Sequence, residues 1–144
     1  MRKHTIKPSS TFWKVAIIAF IWNLLGVLSY LGQTFIPNEI IAFLPKEQST
    51  LLYNAPAWVT VAFAIAVWGG LLGCILLLLR KHSAKRVFVI SFLGIMVYLI
   101  YHFIIAKAAY FYDITSLIIP ILTVLIGIYL IRHSKRCIRE GILN

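Results

Sequence analysis

Few side chains in this sequence are equipped for chemistry, and those few sit inside long apolar runs. Asn23 stands in the middle of the first run, followed by Tyr30 and Gln33. Their spacing, with Gly26 and Thr34, puts all of them on one side of a helix. A later run repeats the arrangement with Ser91, Gly94, Tyr98, Tyr101 and His102 at matching offsets. Amides and phenols hydrogen-bond polar solutes, and aromatic faces pack on sugar rings, so this stripe suits an outward-opening solute site. The same groups can instead bond only to each other and hold helices together, at about 0.6 kcal/mol per bond on average. Both outcomes are open at this stage. His102 is the one side chain within an apolar run that titrates near neutral pH. It has neither a second histidine at depth with which to share a haem nor a carboxylate with which to relay protons.

Other chemistries lack their parts. No acid lies in an apolar run, which removes the buried carboxylate that proton-coupled small exporters use. One histidine at depth does not make a metal site. No Ser-His-Asp set or phosphate-cradling glycine loop is present, and His82 and His133 fall in basic segments that suit lipid headgroups. Cys74 and Cys137 form no CxxC pair, and a disulfide is not expected in a reducing compartment. The expectation is a protein that is not an enzyme and that carries no metal or cofactor.

The elements that must position the stripe are written in the composition. Of 144 residues, 61% are hydrophobic and 12% charged, where soluble domains average nearer a half and a quarter. A water-soluble chain of this size could not bury so much apolar surface. About 20 apolar residues are needed to cross a bilayer as a helix, and four stretches qualify: 12–32, 58–79, 87–106 and 114–131. The last extends back into Tyr110-Phe111-Tyr112. The fold expected is all-α, a single polytopic four-helix domain over 1–144. The first run follows a basic start as a signal peptide would, but it is long and lacks a small-residue cleavage site, so it reads as a retained helix.

Orientation follows from the flanking cations. Arg2, Lys3, Lys7 and Lys14 precede or begin the first run. Arg80, Lys81, Lys85 and Arg86 link the second and third, and Arg132, Lys135, Arg136 and Arg139 follow the fourth. The other two loops hold one each, Lys46 and Lys107. Both termini and the middle loop are therefore expected in the cytoplasm, against anionic headgroups. Glu39, Glu47 and Asp113 lie outside and Glu140 inside. The +10 charge is spread over these three clusters rather than gathered on one face, so nucleic acid is not an expected partner.

The first outer loop, residues 33–57, is too apolar to lie free in water. Asn38 is expected to cap a short helix ending near Pro45, and Pro45 to open a second, both resting on the membrane surface or the bundle. Six tyrosines (Tyr30, Tyr53, Tyr98, Tyr101, Tyr110 and Tyr112) fall in the outer half with Trp58, while Trp13 marks the inner edge, as interfacial rings do. In the second span Ala62, Ala66, Gly70 and Cys74 recur every four residues, with Gly69 and Gly73 beside them. Small residues let helix backbones approach in lipid, so this row is a packing seam, either within the bundle or between copies in a homo-oligomer. Leu25-Gly26-x-x-x-Tyr30-Leu31-x-x-x-Phe35 matches Leu93-Gly94-x-x-x-Tyr98-Leu99-x-x-x-Phe103, which raises the idea of a duplicated hairpin.

Several strings together carry a resemblance: Trp22-Asn23-Leu24-Leu25-Gly26; Leu44-Pro45 with Gln48 and Leu52-Tyr53; Pro56-x-Trp58; Ala62-x-x-x-Ala66-Val67-x-Gly69-Gly70-x-x-Gly73; and Arg80-Lys81, with Pro120 and Gly141 further on. The chain resembles a group of small bacterial inner-membrane proteins with four predicted helices, some labelled "sugar transporter". The resemblance implies a four-helix protein of the bacterial cytoplasmic membrane and assigns no residue a role. Two functions are thus expected in turn: a non-enzymatic structural or interaction protein, and, as the alternative, a small-solute carrier or pore with a polar, aromatic-lined site.

Overall fold

The computed structural model describes residues 6–107 and 114–144, apart from the side chains at positions 47, 48, 51, 52, 115 and 116. The expected extension at Tyr110-Phe111-Tyr112, the acid Asp113 and the cations Arg2 and Lys3 fall outside those residues. Among the described residues the secondary structure is entirely helical, and four helices are long and apolar enough to cross a membrane.

Helix α1 covers Ser10–Phe35. Ser9 caps it, its hydroxyl accepting from the Phe12 N–H at 3.3 Å, a bond that satisfies one of the orphan donors of the first turn. At about 1.5 Å per residue the helix is about 39 Å long, more than the ~30 Å hydrocarbon core needs. It stops before Pro37, whose ring disfavours helical backbone at Ile36. The segment between α1 and the next long helix folds into α2 (Asn38–Ile41) and α3 (Lys46–Tyr53). Pro45 precedes α3 as expected, but Asn38 is the first residue of α2 and makes no cap; Pro37 holds that position with no side-chain bond. Helix α4 covers Ala57–Leu78 and α5 Ala84–Ile100, and a π-helical turn over Tyr101–Ile105 continues α5. Helix α6 runs Ile114–Arg139. It carries two further turns beyond the expected limit of the fourth span at Ile131, because nothing between Arg132 and Arg139 breaks a helix.

Helix α4 is the centre of the bundle, packing on α1 on one side and α5 on the other, and α6 joins through α5. The close-packed core lies at the end that carries both termini. There Phe12, Ala16 and Ala19 of α1 meet Cys74 and Leu77 of α4, Phe88 of α5, and Leu130 and Cys137 of α6. The same end is tied by backbone. Helix α4 ends with Arg80 at φ 59°; the Arg80 N–H donates to Leu77 O at 2.9 Å and the Lys81 N–H to Leu76 O at 2.8 Å. This is the paired Schellman closure, in which the left-handed position usually belongs to glycine. Helix α6 closes the same way with Gly141 at φ 72°. The chain after Gly141 then pairs with the turn after α4: Asn144 N–H donates to Arg80 O at 2.7 Å and His82 N–H to Asn144 O at 2.6 Å. The Arg80 guanidinium donates to Ile142 O at 3.0 Å and Ile6 O at 3.2 Å, so one side chain binds both terminal segments.

Candidate functional site

The small residues of α4 split between two neighbours, and the spacing decides which. Gly94 of α5 comes so close to α4 that a Cβ there would stand 2.8 Å from Ala62 O and 3.0 Å from Ala66 N. A Cβ on Gly69 would be 3.1 Å from Ser91 Cβ, and one on Gly73 would be 2.6 Å from the Phe88 ring. Ser91, 4% exposed, donates to Ala66 O at 2.6 Å, which cross-links α5 to α4. Gly70 lies where the two neighbours converge: a Cβ on it would overlap Asn23 Oδ1 of α1 and stand 3.4 Å from Ser91 Oγ of α5. All these contacts are within one chain. Gly26, the α1 counterpart of Gly94 in the repeated string, faces Val67 at the looser 3.6 Å. Both glycines pack on α4, whereas a duplicated hairpin would turn Gly94 toward α6.

Asn23 bonds both to its own helix and to a second one. Its Nδ2 donates to Ala19 O at 2.8 Å, one turn back in α1, and to Cys74 Sγ of α4 at 3.4 Å. An amide can span a turn in this way just as a serine or threonine hydroxyl does. Because an amide oxygen set against Ala19 O would be repelled, the NH2 takes that side and Oδ1 is left toward Gly70 and Ser91. Both N–H bonds of Nδ2 are used, and the two lone pairs of Oδ1 receive no hydrogen bond from a described residue.

The rest of the stripe divides. At the end with the termini α1 and α6 touch, Phe12 stacking on His133 with centroids 6.0 Å apart. Farther along they separate, leaving a cleft of about 420 Å³ walled by α1, α4, α5 and α6. Trp22, Asn23, Ser29 and Gln33 of α1, Tyr98 of α5 and Thr123 of α6 are its members with polar atoms, and no charged side chain lines it. Gln33, near the far end, donates to Ser29 Oγ at 3.3 Å. Thr123 donates to Ile119 O at 2.8 Å. The lips are Leu25 and Ile119, 58% and 64% exposed, so the cleft opens sideways between α1 and α6.

Tyr30, Tyr101 and His102 do not line this cleft. Tyr30 sets its ring edge-on to Phe63 at 5.7 Å. Tyr101 is buried, packs edge-on to Trp58 at 5.4 Å and donates to Asn54 O at 3.4 Å, fastening the segment that holds α2 and α3 to the π turn. His102 meets Tyr98 O through Nδ1 at 3.1 Å; a carbonyl accepts only, so Nδ1 carries the hydrogen. Its ring lies on Tyr98 at 4.2 Å, and Phe63 lies on Tyr98 at 4.5 Å. Two rings so near cannot share one face, so Tyr98 is sandwiched and has no face left for a sugar ring. The sequence reading passed over Cys74 as a hydrogen-bond partner, and Phe63, Thr123 and Pro120 as cleft wall. The last two did carry a signal: a proline and a hydroxyl one turn apart in a helix apolar enough to cross lipid, where freed backbone groups and polar side chains usually face protein. Compared with protein-family models, curated proteins and solved structures, the chain matches none.

Proposed function

We propose that the chain is an integral protein of a bacterial cytoplasmic membrane, with both termini in the cytoplasm, that binds a small molecule non-covalently in the cleft between α1 and α6. The observation that carries this is the cleft itself. Its 420 Å³ lies in the range of about 300–1,000 Å³ typical of small-molecule sites, which are mostly apolar with a few placed polar groups. Asn23, Gln33 and Thr123 are such groups here. Carriage of the bound molecule through the membrane is the activity this suits, and no group in the cleft offers acid, base or nucleophilic chemistry. The rival reading, a structural or interaction protein, draws on the other half of the stripe, where Tyr30, Tyr101 and His102 spend their contacts inside the chain.

Two measurements test the proposal. A reporter active only in the cytoplasm, fused after Asn144 or inserted between Lys81 and Lys85, should be active, and silent when inserted near Gln48; activity at Gln48 reverses the orientation. For the cleft, single cysteines at positions 23, 33 and 123 should react with a small thiol reagent in membranes, whereas one at position 30 should be protected. Uniform protection would favour the structural reading.

A further inference from the structure

Deep in the bundle the cleft narrows into a void of about 20 Å³. Trp22, Asn23, Ile95 and Thr123 line both, and Gly70 and Ser91 complete the polar side of the void. A space of this size holds about one water-sized group. Its polar surroundings are mostly acceptors. The Ser91 hydrogen goes to Ala66 O, the Thr123 hydrogen to Ile119 O, and both Asn23 amide hydrogens to Ala19 O and Cys74 Sγ. What remains toward the void is chiefly acceptor capacity, the Asn23 Oδ1 lone pairs and those left on two hydroxyl oxygens, beside the indole N–H of Trp22. A group that enters must donate. It must also be neutral, since no charged side chain lines cleft or void and an unpaired ion at this depth is costly. A hydroxyl meets both conditions; a phosphate or an ammonium fails the second.

The rest of the cleft selects the body attached to that hydroxyl. Its wall is predominantly aliphatic and aromatic, its mouth opens sideways between Leu25 and Ile119, and Tyr98 has both faces covered. A flexible hydrocarbon chain arriving from within the bilayer fits such a slot better than a sugar arriving from water. We infer that the cleft takes a neutral single-chain lipid with a hydroxyl head, the chain between α1 and α6 and the hydroxyl in the void at Asn23. This rests on the reading of the cleft as a small-molecule site and names its ligand class.

The test uses the full chain in phospholipid vesicles with a diazirine-bearing long-chain alcohol as photoprobe. Labelling is expected on the segments holding Leu25 and Ile119. Hexadecanol should displace it about three- to tenfold more effectively than hexadecane, the advantage of one hydrogen bond. Asn23→Leu should erase that advantage while leaving hexadecane competition intact. Should Asn23→Leu fail to fold, the isosteric Thr123→Val, which removes one acceptor, should reduce it. Equal competition by the two on the parent overturns the hydroxyl assignment, and labelling confined to surfaces outside the cleft overturns the lipid assignment. If the alcohols fail but a panel of free sugars stabilises the protein against heat in an Asn23-dependent way, the lipid class is wrong and the small-molecule site stands. If neither set binds, both fall.

Discussion

The convergence at Gly70 offers a quantitative test. Alanine there puts a methyl where Asn23 Oδ1 now lies, and 3.0 Å from Asn23 Cγ. The backbones of α4 and α1 cannot both stay in place with Asn23 in its present rotamer. If the side chain swings out, the bonds from Nδ2 to Ala19 O and Cys74 Sγ are lost. Polar bonds between helices in lipid average about 0.6 kcal/mol and reach about 1.7. If the helices part instead, overpacking costs about 1–3 kcal/mol. Against either stands the helix-propensity gain of alanine over glycine, at most about 1 kcal/mol. The net expectation for Gly70→Ala is a destabilisation of up to about 2 kcal/mol. In an Asn23→Ala background the obstacle is gone; the nearest other atom, Ser91 Oγ, is at an ordinary 3.4 Å, so the same change should be close to neutral. Gly26→Ala, with nothing nearer than 3.6 Å, is the control and should be neutral or stabilising. Unfolding in mixed micelles of rising sodium dodecyl sulfate content, followed by tryptophan fluorescence, gives all four values. A coupling between positions 23 and 70 below about 0.5 kcal/mol, the usual additivity error, would refute the reasoning, as would a Gly26→Ala penalty equal to that of Gly70→Ala.

Two further substitutions probe the end with the termini. Arg80→Gly removes the left-handed strain along with the guanidinium bonds to Ile142 and Ile6, whereas Arg80→Ala removes the bonds and keeps the strain; the alanine variant should be the less stable by about 1–2 kcal/mol, and equal stabilities in the same unfolding assay would contradict that. Ser134 is fully buried and its hydroxyl has no hydrogen-bond partner among the described residues, so Ser134→Ala should raise the unfolding free energy by about 1 kcal/mol or more; a loss of stability would mean that the hydroxyl is bonded after all.

The four spans were legible because lipid makes a simple demand: backbone groups must bond within the segment and side chains must be apolar over about 20 residues. Length and hydropathy suffice for that, and α4 differs from its expected bounds by one residue at each end. Boundaries set by polar sequence were harder. The string from Arg132 to Arg139 is polar yet continues α6, and the chain after Gly141 then returns to pair with the turn at Arg80, a contact between segments some sixty residues apart that no local pattern announces. Pro37 rather than Asn38 precedes α2, its ring fixing φ at −60° while ψ stays extended at 144°.

The candidate site was half legible, and the division has a physical cause. Periodicity groups Asn23, Tyr30, Gln33, Tyr98, Tyr101 and His102 as though their helices were straight and parallel. Two departures from that ideal sort them. The π turn at 101–105, closed by Ala106 N–H to Tyr101 O at 2.8 Å, inserts a residue into the helical register. Here it accompanies the turning of Tyr101 toward Trp58 and Asn54. The second departure is the separation of α1 from α6 beyond the Phe12–His133 contact. A polar residue in α1 keeps access to open space only past the point where the helices part, and only on the side facing α6. Asn23 stands at that point. Its amide hydrogens hold α1 to itself and to α4, and its oxygen faces the void, so one side chain belongs to both the packing seam and the cleft. A stripe that seemed to require a choice between structure and binding contains both, and position 23 is where substitution should affect the two together.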